Sequence, residues 1–486
     1  MNLGPRTSQS RQLPTIIQGG MGIGVSNWRL ARTVSQYGQL GVVSGTVIDT
    51  VVVRRLQDGD IGGHVRRAIA HFPFAEIAEE VLHRYFLPQG RKPGQPYKRV
   101  PMQTQLGTTF HRGLTMLSNF VEVFLAKEGH NHPVGINLLT KVQLPNLASL
   151  YGAMLAGVNF VLMGAGIPRE IPGALDQLAE HQAAAIKFDV VGLDSDDEPH
   201  YLRFDPAEFG GERLGPLERP NFLPIIASNS LATMLSKKST GSIQGFVIEG
   251  PTAGGHNAPP RGPMSYDELG QPAYGDRDVV DLEKIREIGL PFWVAGGAGS
   301  PERLQEALAQ GAAGIQVGTL FAYSAESGLE ARYKEAILAR TLEGRTRVFT
   351  DPLASPTGFP FKVVSLPGSN SEQECYKART RVCDLGYLRE AYKTEMGKIG
   401  YRCASEPVEA YLSKGGKLED TVGRKCLCNA LMADIGMGQI QKNGELERPI
   451  ITSGDELLSI GRFVKPGITS YSATEVVDYL LGGLEP

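Results

Sequence analysis

Short β-branched apolar runs recur along the chain, each ending near Gly or Asn and each followed by a helical pattern. Such runs predict buried strands, and the segments between them predict helices. The predicted strands are Pro14–Gln18, Leu40–Ser44, Val134–Leu138, Asn159–Met163, either Ile186–Val191 or Phe222–Ala227, then Phe246–Glu249, Phe292–Ala295 and Gly314–Val317. The predicted helices include Asn27–Tyr37, Asn146–Ala156, Glu170–His181, Asp281–Ile288 and Pro301–Gln310.

The strands are apolar throughout, which is typical of a parallel sheet buried on both faces. Eight strand–helix units over about 300 residues favour an α/β fold of the (β/α)₈ barrel type over an open doubly wound sheet. The fifth strand is ambiguous, because residues 193–221 are a polar insertion and the run on either side of it could complete the barrel.

Three segments follow from this pattern. Residues 13–57 and 131–345 are predicted to form the barrel, which we expect to bind the cofactor. Residues 58–130 are too long for an ordinary connection and predict a helical lid or substrate insertion of about three helices. Residues 346–486 are a C-terminal extension, expected to pack on the barrel and to end in the helix Thr474–Leu481.

Composition narrows the class of protein. The 486 residues are 41% hydrophobic and carry a net charge of −3, which argues against a generally basic nucleic-acid binder. The first fifteen residues lack the apolar stretch of a secretory signal, and no apolar run is long enough for a membrane span. Five cysteines in a chain of this length do not make a disulfide framework. We expect a soluble, cytoplasmic enzyme.

The first glycine cluster, IIQGGMGIGVS, does not fit a dinucleotide fingerprint. Its glycines at 19, 20, 22 and 24 give no G-x-G-x-x-G frame, and the expected acidic residue after a second strand is missing. Gly19, Gly20 and Met21 remain as a strand end where backbone and thioether can lie against a flat ligand. A tight turn with a core Met is the equal alternative.

The two late glycine pairs predict a phosphate site. Gly296-Gly297 and Gly318-Thr319 end strands seven and eight, where barrels often bind phosphate through backbone N–H groups and a short helix. Glycine permits close approach of the backbone, and the Thr319 hydroxyl adds a donor. Paired glycines can also be simple turn residues, but two pairs at this spacing favour a phosphate-bearing cofactor.

The segment EGPTAGGHNAPPRG, residues 249–262, carries the candidate catalytic residue. His256 follows Gly254 and Gly255, where the chain can approach a ligand closely. A histidine on the rim of a barrel is a candidate general acid or base, because its ordinary pKa lies near neutrality.

Two further polar residues are candidate cofactor contacts. Asn137 ends strand three with an amide that could match the alternating edge of a heterocycle such as an isoalloxazine. Lys187 interrupts an apolar run and could place a cation near a reduced ring. A lysine that faces solvent is equally consistent with the pattern.

Five segments together resemble the nitronate monooxygenase (2-nitropropane dioxygenase) superfamily of FMN-dependent barrels: IIQGGMG, VGINLLT, EGPTAGGHNAPPRG, VAGGAGSPERLQEAL and GIQVGTLFAYSAESG. The resemblance covers about residues 13–345. The extended EGPTAGGHNAPPRG, the insertion after strand two and a tail with TDPLASPTGFPFKV and RKCLCNAL are most similar to one branch of this superfamily. That branch is the trans-acting flavin enoyl reductases of polyunsaturated fatty acid and polyketide synthases.

The resemblance implies non-covalent FMN, with NAD(P)H as electron donor. It places Gly19, Gly20 and Met21 against the ring, Asn137 at its pyrimidine edge, and the two late glycine pairs around the phosphate, with His256 facing the substrate. Glu249 stands where relatives often have a neutral amide. The implied reaction is reduction of an α,β-unsaturated thioester on acyl carrier protein or coenzyme A, with a proton delivered through His256 or water.

Two alternatives stay open from the sequence: a nitronate monooxygenase that uses O₂, and a flavin-bearing scaffold subunit without turnover. The sequence predicts no nucleic-acid or membrane partner and leaves a homodimer open. Within residues 81–121 there is no Asp or Glu, and six positive charges stand at Arg84, Arg91, Lys92, Lys98, Arg99 and Arg112. They predict either a basic lid that attracts an acidic carrier protein, a coenzyme A ester or NADPH, or a solvated face balanced by acids elsewhere.

The cysteines of the extension give a weaker signal. Cys383, Cys403, Cys426 and Cys428 could form a four-thiolate metal site, but their spacings match no standard zinc or iron–sulfur pattern. No metal is therefore predicted.

Overall fold

The computed structural model describes residues 13–464 and 470–482. Its strands, in chain order, are β1 (Ile16–Gln18), β2 (Gly41–Ser44), β3 (Val134–Leu139), β4 (Phe160–Gly164), β5 (Ala184–Lys187), β6 (Val190–Val191), β7 (Tyr201–Phe204), β8 (Asn221–Ile226), β9 (Phe246–Glu249), β10 (Phe292–Ala295), β11 (Gly314–Val317), β12 (Val348–Asp351), β13 (Phe361–Val364), β14 (Glu390–Lys393) and β15 (Ile399–Arg402).

The α-helices are α1 (Trp28–Gln36), α2 (Ile48–Gln57), α3 (His64–Ile69), α4 (Ala75–Tyr85), α5 (Thr109–Lys127), α6 (Asn146–Leu155), α7 (Ile171–Ala179), α8 (Asn229–Lys238), α9 (Leu282–Arg286), α10 (Pro301–Ala309), α11 (Thr319–Ala322), α12 (Ala331–Leu342), α13 (Gln373–Ala378), α14 (Val408–Ser413), α15 (Leu427–Asp434) and α16 (Ala473–Leu480). Each helix predicted above is present, with ends that differ by at most two residues. Side chains cap the N-termini of several of these helices. Asn27, for example, accepts a hydrogen bond from the backbone N–H of Leu30 at the start of α1.

Eight parallel strands form a closed barrel, which confirms the predicted fold class. Their order is β1-β11-β10-β9-β8-β4-β3-β2. The ring closes between β1 and β2. Ile17 pairs there in parallel with Leu40, and the backbone N–H of Gln18 donates to the Leu40 carbonyl at 2.9 Å. All carboxyl ends of the strands therefore lie at one rim.

The structure decides which run is the fifth barrel strand. The run after the polar insertion pairs in parallel with β4 and β9, as β8. The earlier candidate, Ile186–Val191, lies outside the barrel: β5 forms an antiparallel hairpin with β7, and its residues alternate between buried and exposed. The alternation follows because only one face of this hairpin is covered, whereas both faces of a barrel strand are buried.

The barrel interior is a small apolar core separate from the larger core that lies between strands and helices. Its members include Val42, Leu162, Leu223 and Val247. Trp293 plugs one end, where its indole N–H donates to the Pro14 carbonyl at 2.7 Å. This packing closes the barrel below the rim, so that a ligand has room only at the carboxyl ends of the strands.

The insertion and the extension both contact the barrel. Residues 58–130 contain three helices, α3 to α5, and α5 packs along α6 and α1. In the extension, β14 pairs with β6, α16 packs on α1, and His256 forms an antiparallel bridge with Phe361. The division of the chain into these segments remains a prediction.

Most of the basic residues in the insertion are neutralised by carboxylates from outside residues 81–121. Arg91 pairs with Asp58 at 2.9 Å and Arg99 with Asp384 at 3.4 Å. Two more pairs form, Arg84 with Glu80 and Arg112 with Glu208. The structure therefore favours the balanced face over the polyanion-attracting lid.

Among the described residues, no helix combines the length and the apolar character that crossing a bilayer requires. The prediction about a secretory signal falls mostly on residues 1–12, which lie outside the described residues.

The close packing between β11 and β1 at Gly314 can be tested by substitution. A Cβ at this position would lie 1.9 Å from the Thr15 carbonyl oxygen, which accepts the Ile315 amide at 3.0 Å. We expect Gly314→Ala to lower the free energy of unfolding by about 2–3 kcal/mol, because the backbone must shift. Gly275→Ala is the matched control, since nothing lies within 4 Å of its Cβ position. Equal stability of the two variants in urea would contradict this account of the packing.

Candidate active site

A cavity of about 240 Å³ opens at the rim of the barrel. Twelve of the thirteen residues predicted for the site line it: Gly19, Gly20, Met21, Asn137, Glu249, Gly254, Gly255, His256, Gly296, Gly297, Gly318 and Thr319. They come from the ends of β1, β3, β9, β10 and β11 and from the loops that follow. The parallel direction of the strands brings these residues together across some 300 positions of sequence.

The turn after β1 is held in place by a serine. Ser26 Oγ donates to the Gly19 carbonyl and accepts the Met21 amide, both at 2.9 Å. Gly20 lies so close to Asn137 that a Cβ would stand 2.2 Å from the Asn137 Cβ. The glycine at this position thus lets the strand end and the amide side chain share one corner of the cavity.

The late glycine pairs border the cavity opposite that turn. Gly296 and Gly297 have φ of +84° and +66°, in the left-handed region that favours glycine. Thr319 Oγ1 accepts the Gly454 amide at 3.0 Å. Gly299 lies in the loop after β10 that carries Gly296 and Gly297, and its backbone N–H donates to the Glu456 carboxyl group. A backbone N–H of this loop is therefore directed at a carboxyl oxygen of the extension.

The C-terminal extension positions the loop that carries His256. The Lys362 amide donates to the Gly255 carbonyl, and the Gly255 amide donates to Thr452 Oγ1, both at 2.9 Å. The imidazole Nε2 lies 2.7 Å from Ser355 Oγ. The Phe361 ring meets the imidazole edge-on at 4.9 Å between centroids. The imidazole is therefore oriented by groups that lie about 100 residues further along the chain.

The environment shifts the pKa values of His256 and Glu249 in opposite directions. Burial and the positive charge of Lys141 lower the pKa of His256 to about 4, so the imidazole is neutral at pH 7. Burial also raises the pKa of Glu249 to about 7. The group that can hold a proton near neutrality is the carboxyl of Glu249. The catalytic role of His256 remains a prediction.

A second cavity of about 270 Å³ adjoins the first. Glu249 and His256 line both cavities, together with Ala165 and Ile225. Tyr274 borders the second cavity; burial and the charges of Asp278 and Glu249 raise its pKa to about 12, so its hydroxyl stays neutral. The two titratable groups thus stand at the junction of two ligand-sized spaces.

Lys187 does not reach the site. It lies at the exposed end of β5 in the hairpin outside the barrel, and it lines neither cavity. Its assignment to the cofactor rested on the run AAIKFDVV being a barrel strand. Because the hairpin replaces that strand, the solvent-facing alternative holds.

Sequence reasoning missed the wall supplied by the extension. Its apolar part and its polar loop line the first cavity: Phe361, Tyr387, Leu388, Leu427, Cys428, Leu431, Asp434, Ile451, Thr452, Ser453, Gly454 and Glu456. The run PIITSG, an apolar stretch ending in hydroxyl residues and Gly, resembles the barrel strand ends and was the available signal. Nothing local shows that these residues return to the rim.

Several buried polar atoms around the first cavity lack a protein partner. They are Asn137 Oδ1, Gln316 Oε1 and Asp434 Oδ1. Buried polar atoms are normally hydrogen-bonded, so a polar ligand is the expected partner. An isoalloxazine carries a ring N–H that can donate to an amide oxygen such as that of Asn137 or Gln316. The residues present therefore fit a flavin.

Comparison with protein families gives one match. Residues 179–352 match the family model of nitronate monooxygenase. This range contains β8 to β11, the His256 loop and both late glycine pairs. No curated protein matches the sequence.

Solved structures with a similar chain path include FabK from Thermotoga maritima (17% identity, 97% of this chain and 92% of that chain, TM-score 0.47). A nitroalkane oxidase from Streptomyces ansochromogenes follows (15%, 97% and 95%, 0.44). The enoyl reductase domain of MlnA from Bacillus amyloliquefaciens is another (12%, 97% and 94%, 0.45). At these values they add nothing to the fold that the strand pairing establishes.

The raised pKa of Glu249 has a consequence for stability. In the unfolded chain this carboxyl has its ordinary pKa of 4.5, and in the folded chain the pKa is about 7. The folded state binds the proton more tightly, so this contribution to stability is full below pH 4.5 and is lost as the pH rises through 7. We expect Glu249→Gln, without bound ligand, to exceed the wild type in unfolding free energy at pH 8 by up to about 3 kcal/mol.

Near pH 4.5 the same two proteins are expected to unfold at nearly equal denaturant concentrations. The contribution of His256 to stability depends on pH in the opposite direction. It is present above pH 6.5 and is lost as the pH falls through 4. Since this effect is common to both proteins, it cancels in the comparison. A difference that does not change between pH 4.5 and pH 8 would show that Glu249 is not the titrating group.

Proposed function

We propose that this chain is a flavin-dependent oxidoreductase and, within that class, an enoyl reductase. The match of residues 179–352 to the family model of nitronate monooxygenase supports the first part of this proposal. It uses FMN and NAD(P)H, and it reduces α,β-unsaturated acyl thioesters carried by acyl carrier protein or coenzyme A. The observation that carries the proposal is the pair of adjoining cavities that meet at Glu249 and His256.

FMN fits the first cavity by the chemistry of its walls. Gly19, Gly20 and Met21 line this cavity and would contact the ring, and Asn137 and Gln316 offer unpartnered amide oxygens. The two late glycine pairs and Thr319 lie where a phosphate can be held by backbone N–H groups and a hydroxyl. When bound, FMN supplies hydride transfer between the nicotinamide and the substrate.

The walls of the first cavity also favour a substrate with an acyl chain. The extension adds Leu388, Leu427, Leu431 and Ile451 to the rim, and β3 adds Leu139. Aliphatic side chains on several sides of a cavity exclude water and stabilise a buried hydrocarbon by the hydrophobic effect. A small alkyl nitronate does not require a wall of this extent.

The proton for the α-carbon is assigned to Glu249 rather than to an imidazolium. With a pKa of about 7, the Glu249 carboxyl holds its proton over the lower half of the physiological range. His256 is neutral, is fixed by Ser355, and lines the same junction, where it positions the thioester through a hydrogen bond. This division matches the general rule that neighbouring groups with pKa values driven apart take different roles.

A nitronate monooxygenase is the second candidate, favoured by the family match itself. The electron donor distinguishes the two functions. We expect NADPH, added under argon to the purified yellow protein, to bleach the flavin absorbance, and an enoyl thioester to restore it. If NADPH leaves the flavin oxidised while a nitronate reduces it, the chain is a nitronate monooxygenase.

The acid–base assignment predicts a pH profile. Because the protonated carboxyl is required, kcat for enoyl reduction should fall as the pH rises through about 7 in the wild type. Glu249→Gln should lose this limb and lower kcat by about 10²-fold or more, as expected for loss of a general acid. The rate of flavin reduction by NADPH, measured by stopped flow, should change little in Glu249→Gln.

Two other variants complete this test. His256→Ala should raise KM for the enoyl thioester and lower kcat, while His256→Gln, which keeps a hydrogen-bonding side chain, recovers part of the loss. Lys187→Ala is the control with unchanged kinetics, because Lys187 lies outside both cavities. A pH limb that persists in Glu249→Gln and vanishes in His256→Gln would reassign the proton to His256.

A further inference from the structure

Four of the five cysteines line one small cavity in the C-terminal extension. They are Cys383, Cys403, Cys426 and Cys428. They come from three separate stretches: a loop after α13, the residue after β15, and the start of α15. The fifth, Cys375, lies in α13 and does not line this cavity. Tertiary folding has therefore gathered thiols that the sequence spaces up to 45 residues apart.

Hydrogen-bond donors point at three of these four sulfurs. Cys403 Sγ lies 3.2 Å from Ser405 Oγ and also receives the Ser405 backbone N–H. The backbone N–H groups of Tyr387 and Leu388 point at Cys428, and the backbone N–H of Asn429 points at Cys426. Donors arranged around a sulfur stabilise its thiolate form, as they do around thiolates that bind metals.

The cavity lacks a positive side chain that could neutralise several thiolates. Arg379, the cation that acts on Cys426, is already held by Glu447, through hydrogen bonds of 2.6 and 2.7 Å. Glu406, near Cys403, is likewise already paired, with Lys414 at 2.7 Å. A bound metal would supply the positive charge that several buried thiolates require.

We propose that these four cysteines bind a thiophilic metal centre, either a zinc ion or an iron–sulfur cluster. As the side chains stand, no three His, Cys, Asp or Glu side chains in the described part of the chain converge closely enough to hold one ion. An iron–sulfur cluster tolerates a wider arrangement, because its thiolates bind different irons. A zinc ion requires the thiols to turn inward to a tetrahedron. In either case the thiols lose their protons to solvent as the metal binds.

The proposed centre lies directly behind the active-site wall. Leu388, Leu427 and Cys428 line both the thiol cavity and the first cavity at the barrel rim. A metal that ties Cys428 to Cys383 and Cys403 would therefore fix the part of the extension that covers the barrel. The inference does not depend on which reaction the enzyme catalyses.

The test is the metal content of the full-length protein, purified anaerobically without a metal affinity resin. Elemental analysis should give about one zinc per chain, or two to four irons with an equal amount of acid-labile sulfide. The sulfide assay distinguishes the two kinds of centre. Cys403→Ser and Cys428→Ser should each lower the bound metal at least tenfold. Cys375→Ser, the matched control outside the cavity, should retain it.

A second measurement needs no variant and so does not depend on whether the serine variants fold. Titration of the native protein with a mercurial should release the metal to a chromogenic chelator in proportion to the thiols modified. Wild-type protein with less than a tenth of an equivalent of every thiophilic metal would overturn the proposal. So would metal retained equally in all three variants, or a mass lower by two hydrogens that reveals a disulfide between Cys383 and Cys403.

Discussion

The parallel direction of the eight barrel strands is the constraint on which the site depends. Because the ring closes between β1 and β2, every strand delivers its carboxyl end to the same rim. Turn residues separated by hundreds of positions, such as Gly20 and Thr319, thereby face one cavity. The plug of apolar side chains around Trp293 closes the opposite side. Ligand binding is therefore restricted to the rim, and the loops there can vary without loss of the barrel.

The C-terminal extension turns this open rim into a closed site. Through Phe361, Thr452 and Ser355 it holds the loop of His256 and covers it. Desolvation disfavours whichever form is charged, so one act of burial makes His256 neutral and keeps a proton on Glu249 near neutral pH. The chemistry that we propose is a product of this enclosure.

The properties of charged and thiol side chains elsewhere in the molecule also depend on residues that are distant in sequence. The run without acids in the insertion looks strongly basic, yet Asp58 and Asp384 neutralise Arg91 and Arg99. The cysteines of the extension have unremarkable spacings along the chain, yet four of them meet at one cavity beside the rim. In both cases the relevant neighbour lies outside the local window, so local composition alone misleads about function.

The sequence by itself determined the barrel class, most of its strands and helices, and the residues that the barrel strands bring to the rim. Strand burial and glycine at strand ends are local requirements, and they leave a pattern at each unit, as at Gly296-Gly297. Only the tertiary structure decided that β8 is the fifth strand and that Lys187 faces solvent. It also decided the protonation of His256 and Glu249 and the meeting of the thiols. These properties depend on which surfaces are removed from water and which charges become neighbours, and long-range packing sets both.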